Sequence, residues 1–208
     1  MLENIAIIGA GGFGREVRML INQINISKPT YNFVGYFDDI NTHKSVIGTI
    51  EDLNLFKDKI AITIAVGDPQ IKKKIFERLN NPNIKHVTLI HPNAIVGDLS
   101  NPIGIGCIIT AGNIITVDTN IGNFVTLNLS CTVGHDTKIG NYTSLMPGVN
   151  VSGEVDIESC VYVGTGAKII NNISIGENTI IGAGSVVAKS LPSNCVAVGV
   201  PSKIIKYK

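Results

Sequence analysis

The chain has 208 residues with 17 basic and 16 acidic side chains, and this near-balance argues against a nucleic-acid binder that relies on bulk electrostatics. Charged residues make up 16% and aromatic residues 5%, and there are 22 glycines, which suits a fold of aliphatic layers and tight turns. No basic region precedes the first apolar stretch and no apolar run is long enough to cross a bilayer, so we expect neither a signal peptide nor a membrane span.

The first part of the chain predicts a βαβαβ half-unit of the Rossmann type. A buried strand from Asn4 to Ile8 runs directly into a glycine turn in which Gly9, Gly11 and Gly14 fit the pattern G-x-G-x-x-G. The expected elements that follow are a helix over 15–24, strands over 32–37 and 61–66, and a lysine-rich helix over 69–80.

This order of elements favours a ligand at the glycine turn. The glycines let a ligand approach the backbone at the end of the first strand, and the helix N-terminus offers N–H groups to a phosphate. A carboxylate after the second strand, where Asp38 and Asp39 stand, can accept hydrogen bonds from ribose hydroxyls or a base. The alternative is that the glycines only allow the helix to pack closely on the sheet. A nicotinamide oxidoreductase is disfavoured because a dinucleotide site normally uses two such halves, so a nucleotide or nucleotide-sugar is the better ligand.

Pro92 ends what reads as the fifth strand, and it divides the chain into a nucleotide-sugar-binding domain over 1–92 and a second domain with a C-terminal tail over 93–208. His91 lies just before this proline and is expected to hydrogen-bond the turn more often than a ligand. His43 and His86 have no Asp, Cys or second His at metal-ligand spacing, and we assign them no role.

The second domain is an uninterrupted hexapeptide repeat. From residue 103, every sixth position is Ile, Leu or Val, in the order Ile103, Ile109, Ile115, Ile121, Leu127, Val133, Ile139, Leu145, Val151, Ile157, Val163, Ile169, Ile175, Ile181 and Val187. A period of six fits short strands joined by corners, stacked into a three-sided coil whose centre receives the aliphatic side chains. A sandwich of buried strands is the alternative, but it should show irregular spacing.

His135 is the only histidine inside the repeat. It follows an inward aliphatic by two positions, so its side chain is expected to point out of the prism. With an ordinary pKa near 6.5 an imidazole can accept a proton at neutral pH, and Asp136 could orient the ring. The four cysteines show neither metal-ligand nor disulfide spacing, so we expect a reduced, cytoplasmic chain without a metal site.

These features resemble the left-handed β-helix (hexapeptide-repeat) acyltransferases. The resemblance is closer to the family of sialic acid O-acetyltransferases and nucleotide-aminosugar N-acetyltransferases, which includes the bacillosamine, perosamine and viosamine enzymes. It covers the whole chain. Besides the hexads, the motifs that carry it are Ile8–Glu16, Tyr36–Asp39, Leu89–Pro92, Gly134–Asp136 and Val198–Lys203. The left hand of the helix is implied by the family alone, because it departs from the usual right-handed crossover rule.

The resemblance also implies roles for individual residues. His135 would be the general base and Asp136 the acidic neighbour that raises its basicity. The Gly153 amide would contact the acetyl end of acetyl-CoA, while Ser144, Thr165 and Ala183 would line the cofactor path. The nucleotide-sugar would contact Gly11, Gly12, Phe13, Asp38, Asp39 and Gly67. Several members carry a second histidine where this chain has Ser144.

We therefore expect a homotrimeric acetyl-CoA-dependent acetyltransferase that uses no metal. The expected acceptor is the amine of a nucleotide-linked 4-amino-6-deoxy sugar used for surface glycans. One alternative is O-acetylation of sialic acid or a related sugar, and another is a non-catalytic nucleotide-sugar sensor or scaffold, which would not need His135. A γ-class carbonic anhydrase is rejected, because it needs three metal-binding histidines and the repeat holds only one.

Overall fold

The computed structural model describes residues 2–40, 44–97 and 102–208, and His43 lies outside these ranges. The N-terminal domain is built around a parallel sheet with the strand order β3-β2-β1-β4-β5. Its elements are β1 (Glu3–Ile8), α1 (Gly12–Ser27), β2 (Tyr31–Phe37), β3 (Val46–Gly48), α2 (Ile50–Asn54), β4 (Ile60–Ile64), α3 (Pro69–Arg78) and β5 (Ile84–His86). The predicted half-unit is confirmed, with β3 and α2 as two short elements that the sequence pattern did not reveal.

Local sequence explains where α3 starts. The Asp68 carboxylate accepts hydrogen bonds from the backbone N–H groups of Gln70 (2.8 Å) and Ile71 (2.9 Å), as an N-cap does. Pro69 occupies the first helical position, where a missing N–H costs nothing. The helix therefore begins immediately after the loop that leaves β4.

The second domain is a parallel β-helix of short strands. Its strands are β6 (Leu89–Ile90), β7 (Ile95–Val96), β8 (Ile108–Ile109), β9 (Ile114–Ile115), β10 (Asn120–Ile121), β11 (Thr126–Leu127), β12 (Thr132–Val133), β13 (Lys138–Ile139), β14 (Ser144–Leu145), β15 (Asn150–Val151), β16 (Asp156–Ile157), β17 (Tyr162–Val163), β18 (Lys168–Ile169), β19 (Ser174–Ile175), β20 (Ile180–Ile181), β21 (Val186–Val187), β22 (Cys195–Gly199) and β23 (Ser202–Tyr207).

These strands form the three faces of the prism. Sheet I has the order β23-β22-β20-β17-β14-β11-β8-β6, sheet II the order β21-β18-β15-β12-β9-β7, and sheet III the order β10-β13-β16-β19. Equivalent strands pair one coil apart, as in Thr132 with Asn150 and Val133 with Val151. We name the corners by the sheets that they join in chain order, so corner I–II follows a sheet I strand, corner II–III a sheet II strand and corner III–I a sheet III strand.

The hexad aliphatics fill the prism as predicted. From Ile109 to Val187 all of them are buried, and Ile103 packs against the same core. Corners carry residues with positive φ, which turn the chain sharply between sheets, for example Asp136 (57°), Phe124 (56°) and Gly166 (71°). Because each hexad packs only on its neighbours in the stack, the core exists only in the assembled coil.

The passage between domains lies earlier than the sequence suggested. Leu89 and Ile90, interpreted from sequence as the fifth strand of the first domain, pair with Ile108 and Ile109 in sheet I. The fifth strand is β5 instead, so the chain enters the β-helix between His86 and Leu89. The domain boundary predicted at Pro92 lies too late in the chain. Leu89 and Ile90 are two apolar residues before a proline, a pattern that fits a strand of the N-terminal sheet as well as a strand of sheet I.

The N-terminal domain packs on the outer face of sheet I through α3. Phe76 of α3 contacts the Phe124 ring with 4.7 Å between centroids, and Phe124 stacks on Tyr142 one coil further along. Lys72, which is 1% exposed, lies in this interface. Its ammonium donates hydrogen bonds to the Phe124 carbonyl and to the hydroxyl groups of Thr126 and Ser144. No helix in the described ranges has the length and apolar character needed to cross a bilayer.

Burial lowers the pKa of Lys72 to about 7. In the unfolded chain its pKa is about 10.4, so between these values the unfolded state binds the extra proton and the free energy of unfolding rises with pH. Because the folded protein loses this costly buried charge above pH 7, we expect the free energy of unfolding to rise by roughly 1–2 kcal/mol from pH 7 to 8.5, a rise that should be missing in Lys72→Met. Denaturant unfolding at both pH values, at one protein concentration, measures it. Lys74→Met, on the exposed side of α3, is the control that should keep the wild-type slope.

Candidate active site

The glycine turn after β1 is shaped by close packing. Gly9 has φ +100°, and a Cβ there would stand 2.9 Å from the Ala65 carbonyl oxygen. A Cβ on Gly14 would come within 1.9 Å of the Gly9 oxygen, so α1 can approach the turn only with glycine at that position. Gly11 and Gly12 instead are exposed, and no side chain caps the helix at Gly11. The first N–H groups of α1 are therefore open to an anion.

Asp38 and Asp39 line a cavity of 310 Å³ beside this turn, together with Ile40, Ile50 and Ile71. Asp38 holds the turn, because its Oδ2 accepts a hydrogen bond from the Ala10 N–H at 2.8 Å. Asp39 holds the opposite wall, with Oδ1 accepting from the Ile50 N–H at 2.9 Å. The predicted carboxylate pair is thus at the carboxyl edge of the sheet, in a mostly apolar cavity that suits a planar base.

Arg78 closes this cavity and was not identified from the sequence. Its Nη1 lies 2.6 Å from Asp39 Oδ2 and its Nη2 lies 3.0 Å from Glu51 Oε1. Burial raises the pKa of Asp39, but the hydrogen bonds from Ile50 and Arg78 outweigh it and hold that pKa below its usual value. Asp39 therefore stays ionised and can accept from a ligand N–H or O–H. No short motif marks an arginine at the end of a helix, so only the fold could reveal this contact.

Replacing Asp39 by alanine is expected to weaken binding of nucleoside diphosphates by about 10- to 100-fold, the loss typical of one charged hydrogen bond. Binding of coenzyme A should be unchanged. Titration calorimetry with each ligand separately measures both constants. Lys85→Ala removes an exposed ion pair to Glu3 (2.8 Å) elsewhere on the domain and is the matched control. An equal loss of affinity for both ligands would contradict the assignment of Asp39 to the sugar-binding site.

Two other predicted sugar contacts lie at the same edge. Phe13 is half-buried and packs on the core between α1 and the sheet. Gly67 follows β4, and a Cβ added to it would be 3.8 Å from the Met146 Cε. Met146 follows β14, so it belongs to corner I–II. The sugar-domain loop thus faces corner I–II of its own chain.

His135 and Asp136 form an exposed pair at corner II–III, just after β12. The imidazole Nδ1 lies 2.8 Å from Asp136 Oδ2, and each side chain is 58% exposed. With Nδ1 protonated and donating to the carboxylate, Nε2 has its lone pair free to accept a proton. Asp136 has φ 57°, and this turn of the backbone directs its carboxylate to the ring of the preceding residue.

Gly153 lies directly beneath this imidazole, one coil further along. A Cβ on Gly153 would stand 2.5 Å from His135 Nε2 and 2.6 Å from Cε1, so only glycine leaves the ring in place. Within the described residues no hydrogen bond uses the Gly153 N–H, so the residue that the ring covers carries a donor without a partner. A proton acceptor and an unpaired N–H side by side are what acyl transfer requires. The residues present therefore fit the acetyl end of acetyl-CoA.

Ser144 corrects the sequence-based expectation. It is fully buried in β14, on the face of sheet I that α3 covers, and its Oγ is 3.0 Å from the Lys72 Nζ. A side chain enclosed in the domain interface has no surface to offer a cofactor path. The hexad pattern placed this position between two aliphatics but could not show which sheet face the other domain covers.

Thr165 and Ala183 are exposed, one coil apart, at corner I–II. They therefore share a corner with Met146 and the sugar-domain loop, whereas His135 and Gly153 lie across the width of sheet II. A single chain does not bring the two groups together. His91 is 6% exposed and its Nδ1 accepts the Asn93 N–H at 2.9 Å, which is the turn contact expected for it. Among the described residues, no group of three or more His, Cys, Asp and Glu side chains is arranged to hold a metal ion.

A Rossmann-like half-domain joined to a parallel β-helix with an outward histidine defines a two-domain protein of the hexapeptide-repeat class. The model of the PglD N-terminal domain matches residues 4–79. A GDP-perosamine N-acetyltransferase from Escherichia coli O157:H7 is 33% identical over 62% of this chain and 61% of its own length. This chain thus spans about three fifths of that curated relative.

Two solved structures match nearly the whole chain. The acetyltransferase domain of PglB from Neisseria gonorrhoeae FA1090 is 30% identical, with a TM-score of 0.90 over 98% of this chain and 100% of that one. PerB from Caulobacter crescentus, in complex with CoA and GDP-perosamine, is 28% identical with a TM-score of 0.87 and covers 99% of each chain. The chain belongs to the hexapeptide-repeat acyltransferases that carry a PglD-type N-terminal domain. The predicted fold class, with its left-handed parallel β-helix, is confirmed.

Proposed function

We propose that this protein transfers the acetyl group of acetyl-CoA to the amine of a nucleotide-linked 4-amino-6-deoxy sugar. The observation that carries the proposal is the His135–Asp136 pair, whose imidazole lies against Gly153. The named activity of the Escherichia coli relative and the ligands in the PerB complex support an amine acceptor and coenzyme A. The same Neisseria domain has also been solved with acetyl coenzyme A.

In the proposed reaction the acceptor nitrogen attacks the thioester carbonyl. His135 Nε2 takes the proton that the nitrogen loses, and Asp136 stabilises the resulting imidazolium through its 2.8 Å contact with Nδ1. The Gly153 N–H donates to the oxygen that becomes negative. After the C–N bond has formed, the C–S bond breaks, and the thiolate of coenzyme A takes the proton that His135 holds, which returns the imidazole to its neutral form. A positioned base and one oxyanion donor supply several kcal/mol because the thioester is already activated.

A homotrimer would complete the site. The sugar-domain loop, Thr165 and Ala183 share corner I–II, and His135 lies on corner II–III, so a threefold arrangement with sheet II facing the axis would place one chain's corner I–II beside the next chain's corner II–III. Apolar side chains on sheet II and its two corners are 38–59% exposed and would be covered by that packing: Ile95, Ile114, Val117, Leu129 and Ile170.

Mixing two inactive variants is expected to restore activity if chains share the site. His135→Ala lacks the base, and Gly11→Trp fills the anion site at an exposed glycine with no atom within 4 Å of an added Cβ. Random assembly at equal amounts gives one intact pair in four, so about a quarter of wild-type activity should return. Co-expressed, doubly tagged protein is assayed against each variant alone. No recovery in confirmed mixed oligomers, or a stable monomer in sedimentation equilibrium, would refute the shared site.

We place the reaction in the cytoplasm. The four cysteines are all free and buried, which suits a reducing compartment, where nucleotide-sugars and acetyl-CoA are made. Thiol release from acetyl-CoA, followed with a thiol-reactive dye over nucleotide 4-aminosugars and sialic acids, tests the function. Turnover with an aminosugar nucleotide supports the proposal. Turnover with sialic acids alone would favour O-acetylation, and nucleotide binding without turnover would favour the sensor.

A further inference from the structure

Lys72 is a buried cation whose partners all belong to the other domain. Its Nζ donates to the Phe124 carbonyl (2.9 Å), to Thr126 Oγ1 (2.8 Å) and to Ser144 Oγ (3.0 Å). These three short contacts match the three protons of an ammonium, and the Tyr142 carbonyl is a fourth, longer contact at 3.5 Å. No ion pair to Lys72 occurs among the described residues, so its partners are neutral groups on sheet I and corner III–I.

This contact is stricter than apolar packing alone. Phe76 and Phe124 could slide against each other at little cost, whereas three short hydrogen bonds from one nitrogen fix α3 in a single place along the prism. Gln70 adds a second polar contact, from its Nε2 to Asn178 Oδ1 at 3.0 Å. Lys72 and Gln70 contact different coils of the β-helix, so α3 is fixed at two points along the β-helix axis.

The position of α3 matters for the sugar pocket because the helix starts at that pocket. Gly67 immediately precedes the Asp68 cap, and Ile71, one residue before Lys72, lines the cavity of Asp38 and Asp39. A shift of α3 along sheet I would therefore carry the sugar-binding loop past corner I–II. Each pocket would stay intact within its own domain while the distance between them changed.

We propose that Lys72 is a positioning residue for acetyl transfer, which sets where the acceptor sugar stands relative to the coenzyme A corner of the β-helix. The proposal rests on the function proposed above. It differs from a role in stability, because a charge buried without a counter-ion does not strengthen a fold by itself. The ammonium fixes the position of α3 on sheet I, because only one docking position satisfies its hydrogen bonds.

Lys72→Met keeps the length and apolar stem of the side chain and removes the three hydrogen bonds. We expect kcat to fall by about 10- to 100-fold, the usual cost of misplacing reactants by roughly 1 Å. The separate dissociation constants of uridine or guanosine diphosphate and of coenzyme A should change by less than about twofold, because each pocket lies within one domain. Hydrogen exchange in residues 69–78 should become faster while the β-helix core stays protected.

Lys74→Met, two residues away on the exposed side, is the control and should leave all three measurements unchanged. Thr126→Val with Ser144→Ala removes two acceptors instead of the donor, and adding Lys72→Met to that pair should cost little more, since the same contacts are already lost. This pair also replaces Lys72→Met if that variant does not fold. Wild-type kcat, or a loss explained by weaker binding of either ligand alone, would overturn the proposal. If the wild type acetylated no aminosugar, the function would fail, and the exchange data would still decide whether Lys72 fixes α3.

Discussion

His135→Ala should lower kcat by roughly 10²- to 10⁴-fold, the usual contribution of a positioned general base. The reason is local, because this ring lies against Gly153 and the described residues place no other imidazole at corner II–III. The binding constants for nucleoside diphosphate and coenzyme A should hardly change, since the ring is 58% exposed and supports neither pocket. Steady-state kinetics and calorimetry on the same preparation give both numbers.

Asp136→Asn is the graded companion to this variant. It keeps the size of the side chain but removes the charge that stabilises the imidazolium, so its loss in kcat should be smaller than that of His135→Ala. Asparagine also tolerates the positive φ of 57° at this corner, so the backbone should not be disturbed. If His135→Ala turned over as fast as wild type, His135 would not be the base and the sensor interpretation would gain support.

Gly153→Ala should be nearly as damaging to catalysis while leaving the fold intact. The new Cβ would lie 2.5 Å from His135 Nε2, and the exposed imidazole can swing away at little cost to stability. The displaced base and a crowded oxyanion donor should together lower kcat by about 10²-fold or more. Melting temperature, measured beside kcat, should stay within a few degrees of wild type.

Two comparisons show whether this loss acts through the histidine. Ser152→Ala changes the exposed neighbour at the same corner without approaching the ring, so it should behave as wild type. The double variant with His135→Ala should be little slower than His135→Ala alone, because residues that act as a unit are not additive. Fully additive losses would mean that Gly153 affects catalysis independently of the base.

The fold was predictable because both of its patterns are local. The hexads from Ile103 to Val187 repeat without a gap, and each aliphatic has one place to go once the coil closes. Strand, glycine turn and helix in order likewise predict the half-unit. What periodicity could not place was Leu89–Ile90, since two apolar residues carry no period. The short elements β3 and α2 were missed for the same reason.

The candidate site was predictable only where the residues that interact are adjacent in the sequence. His135 and Asp136 are adjacent in the sequence, so their contact could be predicted from it. Gly153 came from the resemblance, and the geometry beneath the imidazole supplies its physical reason. The contact between Lys72 and Ser144 depends on which faces of the two domains pack together, and the contact of Arg78 with Asp39 depends on how the N-terminal domain folds. Both contacts join residues far apart in the chain, so no spacing in the sequence predicts them. These are the positions where the structure adds to or corrects the sequence interpretation.

Acetylation of a sugar amine forms an amide, whereas acetylation of a hydroxyl forms an ester, so the bond in the product distinguishes the two reactions. Acetyl-CoA carrying a labelled acetyl group is incubated with the wild type and a nucleotide-linked 4-amino-6-deoxy sugar, and the labelled sugar is then treated with hydroxylamine. The label should stay on the sugar, because an amide resists this treatment, and His135→Ala should form the same product far more slowly. Label released by hydroxylamine would identify an ester and contradict N-acetylation. No labelled sugar at all would contradict acetyl transfer to this acceptor.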